Sequence, residues 1–420
     1  MKPGPIPSSL FIRNRSKLAA AMDPGSAALI RSGHAKIRSG DQHYPFRQLS
    51  NFFYLTGINQ QDNLFVFIPD HPDPDFREAI FIRKPTAKSE LWTGPLPGPE
   101  EVQRLSGIAR VHWMDEKDEW LASQLKDVTR VYCDQDLAVL SPKARFSDPA
   151  ETKRMPLAPL VEKLRVVKET EEIDQIRKAI SITHSALLEV LEKVRPGVWE
   201  YQLEAEIIGN FIRNGAAGHA YDPIVASGKN ALILHYVRNS SQCADGTLLL
   251  LDFGAEVNNY AADCSRTIPV NGRFSKRQRK VYEAVLRVFR QARGLMVPGT
   301  VLAEFHQQVG ALWEEEHMAL GLYSREEIKG QAGLEPPWKK YYMHGTSHSL
   351  GLDVHDPFDR ARPFEPGMVL TCEPAIYIPE EETGVRLENN ILITGEGPVD
   401  LMEEIPVEPD EIEEMMNRKS

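Results

Sequence analysis

Four carboxylates in the second half of the chain stand where acids are seldom found. Asp252 closes the apolar run 248–251, and Asp263 follows eleven residues later. Glu373 closes the run 367–372, and Glu388 follows beyond the loop 379–384. Aspartate is depleted inside strands, so an acid ending such a run needs a partner. With a hairpin turn at residues 256–259, Asp252 lies directly opposite Asp263, their Cβ atoms ~5 Å apart. Glu373 and Glu388 repeat the arrangement. Facing carboxylates repel, and one takes up a proton unless a cation sits between them. Either pair alone reads equally well as a solvated hairpin edge. Two pairs in a repeated setting argue for chelation.

Three of the twelve histidines, His344, His348 and His355, fall within twelve residues, with Gly345 and Gly351 among them. A lone histidine is more often a satisfied core or surface residue than a ligand, but this cluster is different. One neutral imidazole among hard oxygen donors suits a pair of divalent ions such as Mn, Co or Zn, not a closed thiolate zinc site. Two cations held roughly 3.5–4 Å apart by bridging carboxylates generate a hydroxide and polarise a carbonyl. That chemistry is hydrolysis of an amide or ester.

The elements that must position these groups form a faint repeat. A long helix ends at Val194-Arg195-Pro196-Gly197 and another begins near Glu200; later a helix from near Gln278 ends at Val297-Pro298-Gly299 and another begins at Ala303. Each half then reaches a histidine-bearing strand region, 233–235 and 344–348. Each continues into a matched strand, 246–252 and 367–373, with an acid six residues after a glycine. Two such units facing each other place their acids in one cleft.

Ahead of the repeat, Thr170 reads as an N-cap, with Glu171 and Glu172 in the first turn of an amphipathic helix reaching about Val194. Between residues 17 and 136, apolar runs at 27–30, 64–68 and 79–82 read as buried strands, and 100–105 and 120–125 as helices. A looser segment, 141–155, follows. The expected organisation is an N-terminal α/β domain with a mixed sheet, residues 1–160, and a second domain, 161–420. The acidic stretch 403–414 reads as a solvated terminal helix.

A chain of 420 residues exceeds one typical core, and its 42% apolar and 26% charged content is that of a globular protein. A net charge of -11 without a basic block argues against nucleic acid or an anionic membrane as the main partner. No run approaches the ~20 apolar residues of a membrane span. Cys133, Cys243, Cys264 and Cys372 are scattered, as in a reducing compartment. With no signal-peptide pattern at the start, the expected location is cytoplasmic.

The segments 249–267, 342–356, 366–378 and 384–394, together with 221–236 and 41–57, resemble the aminopeptidase P/prolidase family of pita-bread metallopeptidases, in order along most of the chain. The resemblance implies an α/β (α+β) protein whose C-terminal domain is a pita-bread metallopeptidase domain. It implies that Asp252 binds one metal through both oxygens, that Asp263 and Glu388 bridge two metals, and that His348 and Glu373 complete the second. Glu373 would also take a proton from the attacking water. His235 and His355 would contact substrate and stabilise the developing oxyanion. His344 would lie beside the proline ring, Arg386 would anchor the cleft, and Tyr221 and Tyr377 would line it. On sequence grounds Tyr221 and Tyr377 serve equally well as core aromatics, and Arg386 as the partner of an acid. Asp41 and Trp92 match positions that in the family reach a neighbouring subunit's cleft.

The expected activity is removal of the N-terminal residue from a peptide with proline second. The expected cofactor is a pair of divalent ions, manganese first and cobalt or zinc as alternatives. The N-terminal domain is expected to shape the cleft and to mediate a homodimer or homotetramer. The loop 379–383 is short and acidic, a departure that leaves open any substrate contact the family makes there. The runner-up is a prolidase, which must hold a free substrate carboxylate with a cation; Arg386, Arg360 and Arg362 are the candidates. A metal-free pita-bread binding module, or metal-free hydrolysis, would be expected to lack ligands, and all five positions are filled.

Overall fold

The computed structural model describes residues 2–134, 153–326 and 335–418. Most of the segment 141–155 thus lies outside the described residues; its end, Lys153–Met155, is a strand. The chain divides into two compact units, Gly4–Arg165 and Val166–Ser420.

In the first unit, six strands form a mixed sheet in the order Val111–Trp113, Glu78–Ile82, Leu64–Phe67, Ser26–Arg31, Arg130–Tyr132, Lys153–Met155. Ser26–Arg31 runs antiparallel to Leu64–Phe67 and parallel to Arg130–Tyr132. The three expected apolar runs are the three central strands, buried almost throughout. Burial on both faces is why they read as continuous rather than alternating. Ala27, Leu29, Val66, Phe81 and Leu121 build the core on one face. Asp41 is exposed at the turn of the small hairpin Ile37–Ser39/Gln42–His43. Leu91 and Trp92, on the helix Ala87–Thr93, are 84% and 76% exposed.

The second unit carries the expected helices as Thr170–Lys193, Glu200–Arg213, Lys276–Leu295 and Leu302–Ala319. Thr170 is not the cap. Glu169 takes that position in a capping box, its backbone N–H donating to Glu172 Oε2 at 2.8 Å. A glutamate suits the positively polarised helix start as a hydroxyl does. The terminal helix, Pro409–Asn417, is docked rather than solvated. Pro409 and Ile412 are buried, and Tyr282 donates to the Val407 carbonyl at 2.7 Å just ahead of it.

Two long hairpins carry the acids. In the first, Leu248–Asp252 pairs with Ser265–Pro269, and the same register runs on through Ala255–Val257 and Tyr260–Ala261. The turn is the residue pair Asn258 and Asn259, both with positive φ (49° and 65°). Asparagine tolerates that region, which a two-residue hairpin turn requires at both positions. The tighter turn corrects the expected register. Asp252 faces Ser265, not Asp263. Asp263 falls opposite Gly254, where a Cβ would lie 1.7 Å from the Ala262 carbonyl oxygen, so the backbone there approaches too closely for any side chain. Asp252 and Asp263 remain on one sheet face because the shift is two residues.

In the second hairpin, the pairs Cys372↔Asn389 and Ala375↔Arg386 bracket Glu373 and Glu388 and set them across from each other. The hairpins join where Ser265 bridges Glu388. The histidine regions 233–235 and 344–348 are loops, not strands.

Candidate metal centre

At the junction of the hairpins the acids converge. Ligand atoms of Asp263, His348 and Glu388 all lie within 4.8 Å of one another. His348 Nε2 is 3.4 Å from Asp263 Oδ2 and 3.5 Å from Glu373 Oε1. Tyr221 Oη lies 2.6 Å from Asp252 Oδ1 and 2.5 Å from Asp263 Oδ1. One hydroxyl carries one hydrogen and serves one of those two anions. Asp263, His348 and Glu388 thus form one group, with Glu373 beside His348 and Asp252 joined to Asp263 through Tyr221, and the crowded acids favour positive charge.

The electrostatics say the same. Burial pushes the Glu373 carboxyl up to about 7, with His348 opposing and Asp263 reinforcing. Glu388 is driven well above the carboxylate range by burial, then by Asp263, Glu373 and Asp252. Burial also raises Asp252, which Arg386 partly offsets. For His348 burial disfavours the charge, but Asp263 and Glu373 outweigh it and hold the imidazole up at about 9. Four oxygen donors and one nitrogen, crowded and anionic, fit divalent cations of the first transition row.

This geometry makes the metal-free protein sensitive to pH. Glu373, Glu388, Asp252 and His348 all bind protons more tightly in the fold than in an unfolded chain. Their stabilisation is complete below the ordinary carboxyl range, near 4.5, and drains away as pH rises through about 7 and then about 9. Urea unfolding of the chelated protein is expected to show a lower midpoint at pH 8 than at pH 5.5. Added divalent cation is expected to reverse that order, and an unchanged order would contradict the reading of these acids as ligands.

Around the acids, Arg386 is 4% exposed and donates to Asp252 Oδ2 at 2.6 Å, Ser265 Oγ at 2.8 Å and Tyr377 Oη at 2.8 Å. It is thus the ion-pair partner that its position suggested. His344 Nδ1 sits 2.7 Å from the Gly345 carbonyl, and its Nε2 2.9 Å from Tyr377 Oη. Burial, then Arg386, lowers His344 to about 3, so it is neutral. Nδ1 then carries its hydrogen, and Nε2 accepts from Tyr377. Tyr377 is a buried aromatic, 1% exposed, whose hydroxyl ties His344 to Arg386.

His355 packs on His348, ring centroids 4.2 Å apart, and is lowered by burial and then by His348. His235, on the loop after Ser227, is exposed and near enough to His344 and His355 to lower both further. The segment bearing His348 and His355 is tied down by Lys168. Its ammonium lies 3.1 Å from Asp356 Oδ2 and 3.3 Å from Ser349 Oγ, with both ion-pair side chains 1% exposed.

Sequence reasoning missed Ser265 and Thr371. Ser265 donates to Glu388 Oε2 at 2.7 Å, and the Thr371 hydroxyl lies 3.0 Å from the His348 backbone nitrogen and 3.3 Å from Glu373 Oε1. Both lie two residues from an acid on the same strand face, the spacing that could have found them. Lys168 had no such signal.

Residues 174–395, more than half of the chain, match metallopeptidase family M24, and residues 11–132 match the aminopeptidase P N-terminal domain. The chain is 37% identical to a Xaa-Pro aminopeptidase of Escherichia coli, over 97% of each chain. It is 32% identical to human Xaa-Pro aminopeptidase 3, over 93% of this chain and 81% of the other. Zn-substituted E. coli aminopeptidase P in complex with product superposes with a TM-score of 0.90 at 35% identity, covering 99% of this chain and 100% of that one. A putative aminopeptidase P from Bacillus anthracis gives 0.89 at 34% identity, over 98% of each. The N-terminal sheet unit and the paired-hairpin unit are therefore the aminopeptidase P N-terminal and pita-bread domains, and the chain belongs to metallopeptidase family M24.

Proposed function

We propose that this chain is a dinuclear metallo-aminopeptidase that releases the N-terminal residue of peptides with proline in second position. The observation that carries it is the convergence of Asp252, Asp263, His348, Glu373 and Glu388 on one buried, anionic floor. A bound pair of divalent ions, manganese first with cobalt or zinc as alternatives, supplies an activated water and polarises the scissile carbonyl. Glu373 accepts the proton of the attacking water at a carboxylate oxygen and returns it to the departing proline nitrogen. His355 and His235 donate N–H groups to the developing oxyanion.

Proline has no N–H to bond and is recognised by shape. The His344 and Tyr377 rings, 5.6 Å apart at 62°, form an apolar wall whose polar atoms already bond each other. Arg386 fixes that wall through the Tyr377 hydroxyl, and Tyr221 is held against the first acid pair.

Peptides longer than two residues are the expected substrates, because two of the three candidate cations for a free carboxylate, Arg386 and Arg362, are engaged and only the exposed Arg360 is left. Arg386 binds Asp252, and Arg362 forks onto Glu365 at 2.7 and 2.9 Å. An Xaa-Pro-Xaa tripeptide is expected to exceed the matching Xaa-Pro dipeptide in kcat/KM by roughly tenfold or more. Strict preference for the dipeptide would make the protein a prolidase.

Assembly as a homo-oligomer fits the exposed Leu91 and Trp92, apolar groups of the kind that copies of a chain cover. Among the described residues no helix is long and apolar enough to cross a membrane. A cytoplasmic setting suits the four cysteines, all buried and none in a disulfide.

A further inference from the structure

The loop that carries His235 is organised by a single buried carboxylate from another element. Glu200, the first residue of the helix Glu200–Arg213, is fully buried. Its Oε1 accepts from the Ser227 backbone N–H at 2.8 Å, the Ser227 hydroxyl at 2.7 Å and Asn230 Nδ2 at 2.9 Å. Its Oε2 accepts from the Tyr236 hydroxyl at 2.9 Å and the Ser241 backbone N–H at 2.8 Å. The Glu200 backbone N–H donates in turn to the Ser241 carbonyl at 3.0 Å. Both ends of the segment 227–241 close onto one side chain, and His235 stands next to Tyr236, one of the five donors.

All five of these donors are neutral, so the charge of the carboxylate is met by hydrogen bonds alone. Charge-assisted bonds of this kind are about twice as strong as neutral ones. A backbone N–H addresses each oxygen. A glutamine at 200 would therefore set its own NH2 against a backbone N–H in either amide orientation, and the closure would open at one end. His235 is exposed, and its place is set by the backbone that Tyr236 and Ser241 pin.

We infer that Glu200 is a positioning residue for the reaction: through Tyr236 and Ser241 it holds His235 where the developing oxyanion forms. The inference rests on the reading of His235 as a substrate-contacting group. Glu200→Gln is expected to lower kcat on an Xaa-Pro tripeptide about 10- to 100-fold, the usual cost of losing an orienting partner, with a smaller change in KM and unchanged metal content. Tyr236→Phe, which removes one donor and little volume, is expected to act in the same direction and carries the test should Glu200→Gln not fold.

The decisive comparison is made in a His235→Ala background, where either substitution is expected to change kcat less than about threefold, because coupled residues are non-additive. A full-sized penalty in that background, or wild-type kcat in both single variants, would overturn the proposal. Wild-type turnover by His235→Ala alone would instead remove the reading of His235 on which it stands.

Discussion

Glu388→Gln is expected to lower turnover of an Xaa-Pro peptide by about 10³-fold or more while making the metal-free protein more stable. Cation chemistry at such a site is worth several kcal/mol, and each 1.36 kcal/mol is tenfold in rate. Glu388 is 2% exposed, and its nearest charged neighbours include three other acids. A glutamine keeps its shape, and its amide oxygen still accepts from Ser265. The substitution deletes the charge that burial and repulsion oppose most, so the chelated variant should melt above chelated wild type at pH 8. Loss of activity together with a gain in metal-free stability is the signature of a ligand. Loss of both would indicate an ordinary structural acid.

Lys168→Met is expected to destabilise the fold by about 3–5 kcal/mol. Lys168 and Asp356 are an ion pair shielded from water on both sides, and removing one partner strands the other charge in the interior. The stranded carboxylate would sit beside Glu172, which burial already raises to about 7. Asp356 also accepts from the Asp353 backbone N–H at 3.1 Å, so the penalty falls on the segment that bears His355. Adding Asp356→Asn to Lys168→Met removes the stranded charge and is expected to recover more than half of the lost stability. Urea midpoints of the two variants check this, and a double variant no more stable than the single one would contradict it.

The parts of this site that could be read from sequence were those where a residue breaks a local rule. An acid at the end of Leu248–Leu251 conflicts with its own strand, and four acids in matched settings pointed to the cluster that the fold assembles. The central strands of the first unit were legible because burial on both faces leaves an uninterrupted apolar run. What stayed hidden depended on backbone detail. The placement of Asp263 against Gly254 hangs on whether the turn uses two residues or four, and Asn258 and Asn259 decide it by accepting positive φ.

The histidine segments read as strands because each stands just ahead of a matched strand in the repeat. In the fold they are loops pinned from elsewhere, by Glu200 in one half and Lys168 in the other. Such partners lie far off in sequence and carry no periodic signal. The terminal helix looked solvated because it is acidic. Its docking hangs on Ile412 and on Arg279, which reaches Asp410 at 2.6 Å.

The most direct test of the central claim is metal content after equilibrium dialysis against a divalent cation such as manganese. Wild type is expected to hold about two ions per chain, as a two-metal hydrolytic site does, while Asp263→Asn and Glu388→Gln each lose bound metal and activity in parallel. Wild type holding no metal, or either variant keeping the full complement, would contradict the assignment.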